Sequence, residues 1–212
     1  MTMGAAPQEP PCPFVSRAGV KLRHALDAFA LDVRGWEAAD FGCNAGGFTD
    51  CLLQAGAARV RAIDTGYGAL AWKLRQDPRV VVMERTNALH APPPPEGVDL
   101  VVVDLAWTRQ HHAVPAALRW LRAAPGSRII TLVKPHYEVE PHERGRLVDG
   151  FLPHEDAPAV VARVSAAMAG LGAAVLGETL SPITGGKSAR RRGAAGNLEY
   201  LLLLARAGEI RG

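Results

Sequence analysis

Asp40-Phe41-Gly42-Cys43-Asn44-Ala45-Gly46-Gly47-Phe48-Thr49-Asp50 lies between two apolar segments and reads as the end of a strand, a glycine turn and the start of a helix. Glycines at 42, 46 and 47 allow positive φ and close approach of a ligand to the backbone, and a helix starting there offers unpaired N–H groups in its first turn. The spacing is not the GxGxxG of a dinucleotide site, and a tight strand-to-helix turn with no ligand looks the same. The stretch therefore sets a βα unit and leaves its ligand open.

Outward from this turn the chain alternates strand and helix. Ser16 to Ala30 places Val20, Leu22, Leu26 and Phe29 near helical period, with Ser16 as the expected cap. Strands are expected at Glu37–Phe41, Arg59–Asp64, Val80–Glu84, Val98–Asp104, Arg128–Lys134, Ala173–Leu180 and Glu199–Ala205, and a late helix at Glu155–Leu171. The run Val98-Asp99-Leu100-Val101-Val102-Val103 and the run Ile129-Ile130-Thr131-Leu132-Val133 lack polar alternation, as strands covered on both faces do. The expected fold is α/β, a mostly parallel doubly wound sheet. Its last two strands, joined without a helix, should pair antiparallel at the edge.

With 212 residues and 48% hydrophobic residues, one domain with a substantial core is expected. No apolar run approaches a membrane span, and Met1 to Pro13 lacks the pattern of a signal peptide, so a cytoplasmic location is expected. Cys12, Cys43 and Cys51 cannot all pair and have no metal-ligand spacing; free thiols and no metal site are expected. A net charge of +3 permits a polyanionic partner, and the cations cluster at Lys187, Arg190, Arg191 and Arg192 in a glycine-flanked loop and at Arg17, Lys21 and Arg23 near the start.

Ligands of open parallel sheets bind beyond the carboxyl ends of the strands, and acidic or amide residues close strand after strand here: Asp40, Asp64, Glu84 with Asn87, and Asp104. Asp64 follows Asp40 by 24 positions, the interval for a carboxylate that accepts ribose hydroxyls. NAD and S-adenosylmethionine both meet that condition. Asp40 at the turn would repel a pyrophosphate and tolerate a cationic methionine end, which favours S-adenosylmethionine.

Several blocks then coincide with one family. Phe14-Val15-Ser16-Arg17-Ala18-Gly19-Val20-Lys21-Leu22, Gly46-Gly47-Phe48-Thr49-Asp50-Cys51-Leu52-Leu53 and Asp64-Thr65-Gly66-Tyr67-Gly68-Ala69-Leu70-Ala71-Trp72-Lys73-Leu74-Arg75 resemble the TlyA and FtsJ-like RNA 2′-O-methyltransferases. So do Glu84-Arg85-Thr86-Asn87, Val133-Lys134-Pro135 and Gly196-Asn197-Leu198-Glu199-Tyr200-Leu201-Leu202, in the family's order, over about Phe14 to Ala205. The resemblance implies the seven-stranded class I methyltransferase fold in a domain spanning 14–212, behind a proline-rich tail at 1–13. It implies S-adenosylmethionine held by Asp40, Gly42, Cys43, Asn44, Gly46, Gly47, Phe48, Asp64, Asn87 and Asp104. It also implies a catalytic Lys-Asp-Lys-Glu set at Lys21, Asp104, Lys134 and Glu199. That set suits the chemistry: a ribose hydroxyl must shed its proton as it attacks a sulfonium methyl group in line with departing sulfur. Lys134 is the candidate for handling the proton, either as a free base or as an ammonium facing the developing alkoxide.

The chain departs from the family pattern at Cys43-Asn44-Ala45, at Leu105-Ala106-Trp107-Thr108-Arg109-Gln110 and at His136-Tyr137-Glu138. The last two flank the acceptor side, where Trp107, His136 and Tyr137 could stack on a base. The small N-terminal RNA-binding module of the TlyA group has no counterpart before Phe14. The expected acceptor is RNA, ribosomal RNA or a ribosomal subunit, contacted through Arg17, Arg109, Lys187, Arg190, Arg191 and Arg192. A small-molecule O-methyltransferase, or a catalytically weak RNA- or ribosome-binding protein on the same fold, remains open at this point, as does the oligomeric state.

Overall fold

The computed structural model describes residues 12–185 and 196–209; the basic cluster at Lys187 and Arg190 to Arg192 lies outside them, as does most of the proline-rich tail. Seven strands form one sheet: β1 (Glu37–Phe41), β2 (Arg59–Ile63), β3 (Val80–Met83), β4 (Leu100–Val103), β5 (Arg128–Val133), β6 (Ala173–Leu180) and β7 (Tyr200–Arg206). Their order across the sheet is β3-β2-β1-β4-β5-β7-β6. β1 to β5 run parallel, and β7 pairs antiparallel with both β5 and β6, so the expected antiparallel pair does close the sheet, with β7 inside and β6 outermost.

The unbroken apolar runs are explained by two cores, one on each face. Alternate residues of a strand point to opposite faces. Val101 and Val103 of β4 join Phe41, Ile129 and Trp120 on one side, while Leu100 and Val102 join Leu22, Leu52, Ile130 and Leu132 on the other. The first core is covered by α4 (Gln110–Trp120) and α6 (Ala157–Ala167), the second by α1 (Ala18–Ala28) and α2 (Gly47–Gln54), with the short α3 (Trp72–Arg75) beside them. Trp120 meets Phe41 edge-to-face at 5.3 Å, and its indole N–H donates to the Ala91 carbonyl at 3.3 Å, so this large buried side chain leaves no polar group unpaired. A short α5 (Pro135–Glu138) follows β5 directly. None of the described helices is long and apolar enough to cross a membrane.

Two contacts dock the start of the chain onto the glycine turn. The Asp50 carboxylate accepts the Val15 N–H at 2.8 Å, while Phe14 and Val15 pack on the second core. At Gly47 a Cβ would run into the Ser16 hydroxyl and come within 2.8 Å of the Gly19 amide nitrogen. The expected Ser16 cap is not made: Arg17 is the N-cap residue of α1 without a side-chain bond, because the Ser16 side chain is turned toward Gly47. Gly46 (φ 93°) is likewise closed over by Leu70 and Leu74. Gly46 and Gly47 thus admit the close packing of neighbouring segments against the turn.

Gly47→Ala is expected to cost about 1–3 kcal/mol, since the obstructing atoms belong to a helix start held by Asp50 and cannot swing away. Urea denaturation would check this; a midpoint unchanged from the parent would contradict the packing role.

Candidate active site

At the carboxyl ends of β1, β4 and β5 lies a cavity of about 580 Å³, its wall including Ser16, Arg17, Lys21, Asp40, Gly42, Cys43, Asn44, Phe48, Asp104, Lys134, Thr184 and Glu199. All four residues of the expected catalytic set are in it. Lys134 follows β5 and donates from Nζ to Asp104 Oδ1 at 2.5 Å and to the Leu105 carbonyl at 3.3 Å. Asp104 directly follows β4, the parallel neighbour of β5, so sheet register alone brings these two together. Lys21, in the first turns of α1, pairs with Glu199 at the entry to β7, across 178 residues of sequence. Both pairs are largely covered, Lys21 and Glu199 more deeply than Lys134 and Asp104.

Burial is the largest single influence on Lys134 and favours its neutral amine. The charge and hydrogen bond of Asp104, joined by Glu199 and Tyr137, outweigh it and hold the pKa above the ordinary lysine value. Lys134 therefore rests as an ammonium. Beside it the His136 imidazole is driven down to about 4 by burial and then by the Lys134 charge, and its Nδ1 is buried without a partner. His136 is a neutral ring at physiological pH.

The cofactor residues divide into three groups. Asp40 is fully buried; its Oδ2 accepts both the backbone N–H and the hydroxyl of Thr49, at 2.9 and 2.7 Å. One of the helix-start amides expected to meet a ligand is thus satisfied by Asp40 itself. The other carboxylate oxygen, Oδ1, is buried with no partner among the described residues. Gly42 (φ 86°) lies so close to β4 that a Cβ would stand 2.5 Å from the Asp104 carbonyl oxygen. Cys43 is buried, and burial raises its pKa, so the thiol stays protonated and inert. Asn44 (φ 47°) donates its N–H to Asp64 Oδ2 at 2.9 Å, and the Gly66 N–H binds Asp64 Oδ1 at 2.7 Å. Each Asp64 oxygen keeps a lone pair for a further donor. Asp64 and Asn87 stand beyond the cavity wall, toward β2 and β3; Asn87 is exposed, with its side-chain oxygen on the Leu89 N–H. Glu84 is taken up by Arg75 and the Gly68 N–H and acts as a brace for the loop after β2.

Two arginines expected to meet RNA differ sharply. Arg17 lies in the cavity wall with Nη1 buried and without a partner among the described residues, a guanidinium nitrogen placed to meet an anion there. Arg109 is the correction: its guanidinium donates to the Tyr137 and Val139 carbonyls and reaches Glu140, tying the start of α4 to the end of α5. In this position the Arg109 guanidinium braces the loop after α5. Sequence reasoning had not singled out the hydroxyl of Thr49, the Asp50 anchor or the Thr184 and Gly185 wall; only Asp50, an acid in a helix's first turn, carried a local signal.

An orphaned carboxylate oxygen, two ammonium–carboxylate pairs and a half-open cavity fit a cationic, nucleoside-sized ligand. Comparison with known proteins agrees. The family model for FtsJ-like methyltransferases matches residues 14–175. Over 197 residues the chain is 43% identical to the 16S/23S rRNA (cytidine-2′-O)-methyltransferase TlyA of Mycobacterium tuberculosis, covering 90% of this chain and 68% of that protein. It is 33% identical over 193 residues to Hemolysin A of Brachyspira hyodysenteriae, covering 89% of this chain and 75% of that one. A solved structure from Streptococcus thermophilus, assigned as a hemolysin, superposes with a TM-score of 0.83 at 34% identity, covering 95% of this chain and 70% of its own.

Burial, with Asp104 and Asp64 acting in the same direction, pushes the Asp40 pKa up to about 7 against the pull of the Thr49 bonds. The ordinary aspartate value is about 3.9, so between about pH 4 and 7 the folded protein holds a proton that the unfolded chain has lost, and this group's contribution to stability falls as pH rises through that window. Asp40→Asn cannot ionise and should flatten that part of the stability curve measured by denaturation. A variant curve parallel to the parent's would show that Asp40 is ionised throughout.

Proposed function

This chain belongs to the FtsJ-like methyltransferase family, with S-adenosylmethionine as methyl donor, and we propose that it methylates a ribose 2′-hydroxyl of RNA, ribosomal RNA being the substrate class. The observation that carries this reading is the convergence of Lys21–Glu199 and Lys134–Asp104 on the cavity that also holds the unpartnered Asp40 oxygen. When bound, the cofactor supplies an electrophilic methyl carbon on a sulfonium, whose departing sulfur leaves uncharged.

The remaining work falls to side chains of the protein. Asp40 Oδ1 and Arg17 Nη1 offer the cofactor's ammonium and carboxylate opposite charges at buried positions that lack other partners. Asp64 accepts from the ribose hydroxyls and Asn87 donates toward the base. Lys134 takes the proton of the attacking hydroxyl, which requires its amine form. Burial favours the amine and the Asp104 charge favours the ammonium, so the amine that accepts the proton is the minor form near neutral pH. The Lys21–Glu199 pair closes the other side of the acceptor oxygen and keeps Glu199 from meeting it as a bare charge.

The acceptor side favours a macromolecule over a small metabolite. Trp107, three residues beyond Asp104, is 81% exposed and held at a left-handed φ of 52°. A closed metabolite pocket would bury such a ring, whereas an exposed one offers a face for a nucleotide base. We take the catalytic domain to begin at Phe14, where the chain joins the core, and its place of action to be the cytoplasm, with a ribosomal subunit or its RNA as partner.

Lys134→Ala is expected to lower the rate of methyl transfer to RNA by about 10²–10⁴-fold while cofactor affinity measured by calorimetry is kept. In the parent enzyme kcat should climb about tenfold per pH unit between pH 6 and 8, because each unit exposes more of the amine. An undiminished rate in the variant removes Lys134 from the chemistry, and a flat profile removes its role as base. Trp107→Ala should raise KM for RNA by about tenfold with kcat and cofactor affinity unchanged, the scale of one lost stacking contact.

A further inference from the structure

Outside the reaction cavity, a groove of about 470 Å³ runs along the flank of α4, lined by Leu89, His90, His111, His112, Pro115 and Arg119. Every ionisable group in its wall is a histidine or an arginine. His111, Pro115 and Arg119 recur at four-residue spacing and so share one helix face with His112 beside them. His90 comes from the turn after β3, which α4 fixes through Arg119 Nη2 on the Leu89 carbonyl at 2.6 Å and the Trp120 indole on Ala91. α4 begins six residues after Asp104, at the same rim of the sheet as the reaction cavity. From residue 111 to 119 it descends about 12 Å, some three to four steps of a nucleic-acid strand at about 3.4 Å each.

The groove holds no carboxylate to balance its cation. The His111 and His112 rings stand 3.9 Å apart. Burial lowers the His111 pKa first, with His112 and Arg109 acting in the same direction and only Glu140 opposing. From α4, then, Arg109, His112 and Arg119 bear on this position, from the turn after β3 His90, and from beyond α5 the single carboxylate Glu140. Protonation there is penalised until an anion enters.

We infer that this groove holds the phosphodiester backbone of the substrate RNA flanking the methylated nucleotide, with Arg119 as the constant phosphate contact and the imidazole rings of His90, His111 and His112 as further donors along it. The inference rests on the RNA reading above and adds to it the path of the strand. Phosphate entry favours the imidazolium forms, so RNA binding takes up protons and tightens as pH falls.

The test uses the full chain, purified ribosomal RNA and equilibrium binding over a salt series at pH 6 and pH 8, on the parent, on Arg119→Gln and on the triple variant His90→Asn/His111→Asn/His112→Asn. Parent affinity should rise about tenfold or more from pH 8 to pH 6. Arg119→Gln should reduce the slope of log affinity against log salt by about 0.7 at both pH values, one phosphate contact on a single strand. The triple variant should lose the pH dependence, and both variants should keep the parent's circular dichroism spectrum and its methyl transfer at saturating RNA. Unchanged salt slopes together with an unchanged pH dependence overturn the groove assignment alone, provided the parent methylates RNA. If the parent transfers no methyl group to RNA, the RNA reading falls first and the groove assignment with it.

Discussion

The approach of α1 to the glycine turn is the contact on which the site depends. Lys21 is carried by a helix that precedes the sheet, and nothing in strand register places it. Its position is set where Gly47 meets Ser16 and Gly19 without room for a Cβ, and where Asp50 receives the Val15 N–H. Asp50, itself bridged to Lys73 at 3.0 Å, links α1, α2 and α3 around one carboxylate. Loosen this joint and Lys21 withdraws from Glu199, while the sheet and the Lys134–Asp104 pair remain. Half of the catalytic set is therefore a property of sheet topology and the other half of one helix-to-turn contact.

Two largely covered ion pairs within one cavity are poor stabilisers. Desolvating an ammonium and a carboxylate costs several kcal/mol per ion, and mutual attraction only roughly repays it. Their retention is intelligible as chemistry. Asp104 settles the contest over Lys134 in favour of the charged form in the resting protein, against the strong pull of burial. Once Lys134 has taken up the hydroxyl proton, Asp104 and Glu199 hold it there as an ammonium. Asp40 is balanced in the same manner, half of its carboxylate satisfied by Thr49 and the other half left unpartnered at the cavity. The protein stores unsatisfied polar groups where ligand groups would complete them.

Much of the fold could be read from the sequence because its signals are local. Uninterrupted apolar runs marked the two-faced strands, and a glycine-rich basic connection with no helical pattern marked the β6–β7 pair. The acids at strand ends were legible for the same reason, since topology puts them on one rim. Harder were features that exist only between distant segments. That Gly46 and Gly47 admit close packing of neighbouring segments, that Ser16 turns away from capping, and that Arg109 donates to the carbonyls of residues 137 and 139 all require knowing what packs nearby. The Lys21–Glu199 pair joins positions 178 apart and was reached through family resemblance; spacing alone would not have found it. The basic cluster at Lys187 to Arg192 falls outside the described residues, so the electropositive path toward RNA is drawn from Arg17 and the α4 groove.

Everything above converges on where a methyl group would land. The most direct measurement is nucleoside mass spectrometry of unmodified ribosomal RNA after incubation with the protein and isotope-labelled S-adenosylmethionine. The account requires label on the ribose of a 2′-O-methylated nucleoside, dependent on the protein. Label on a nucleobase, or label absent from RNA and present instead in a small-molecule extract, would contradict it.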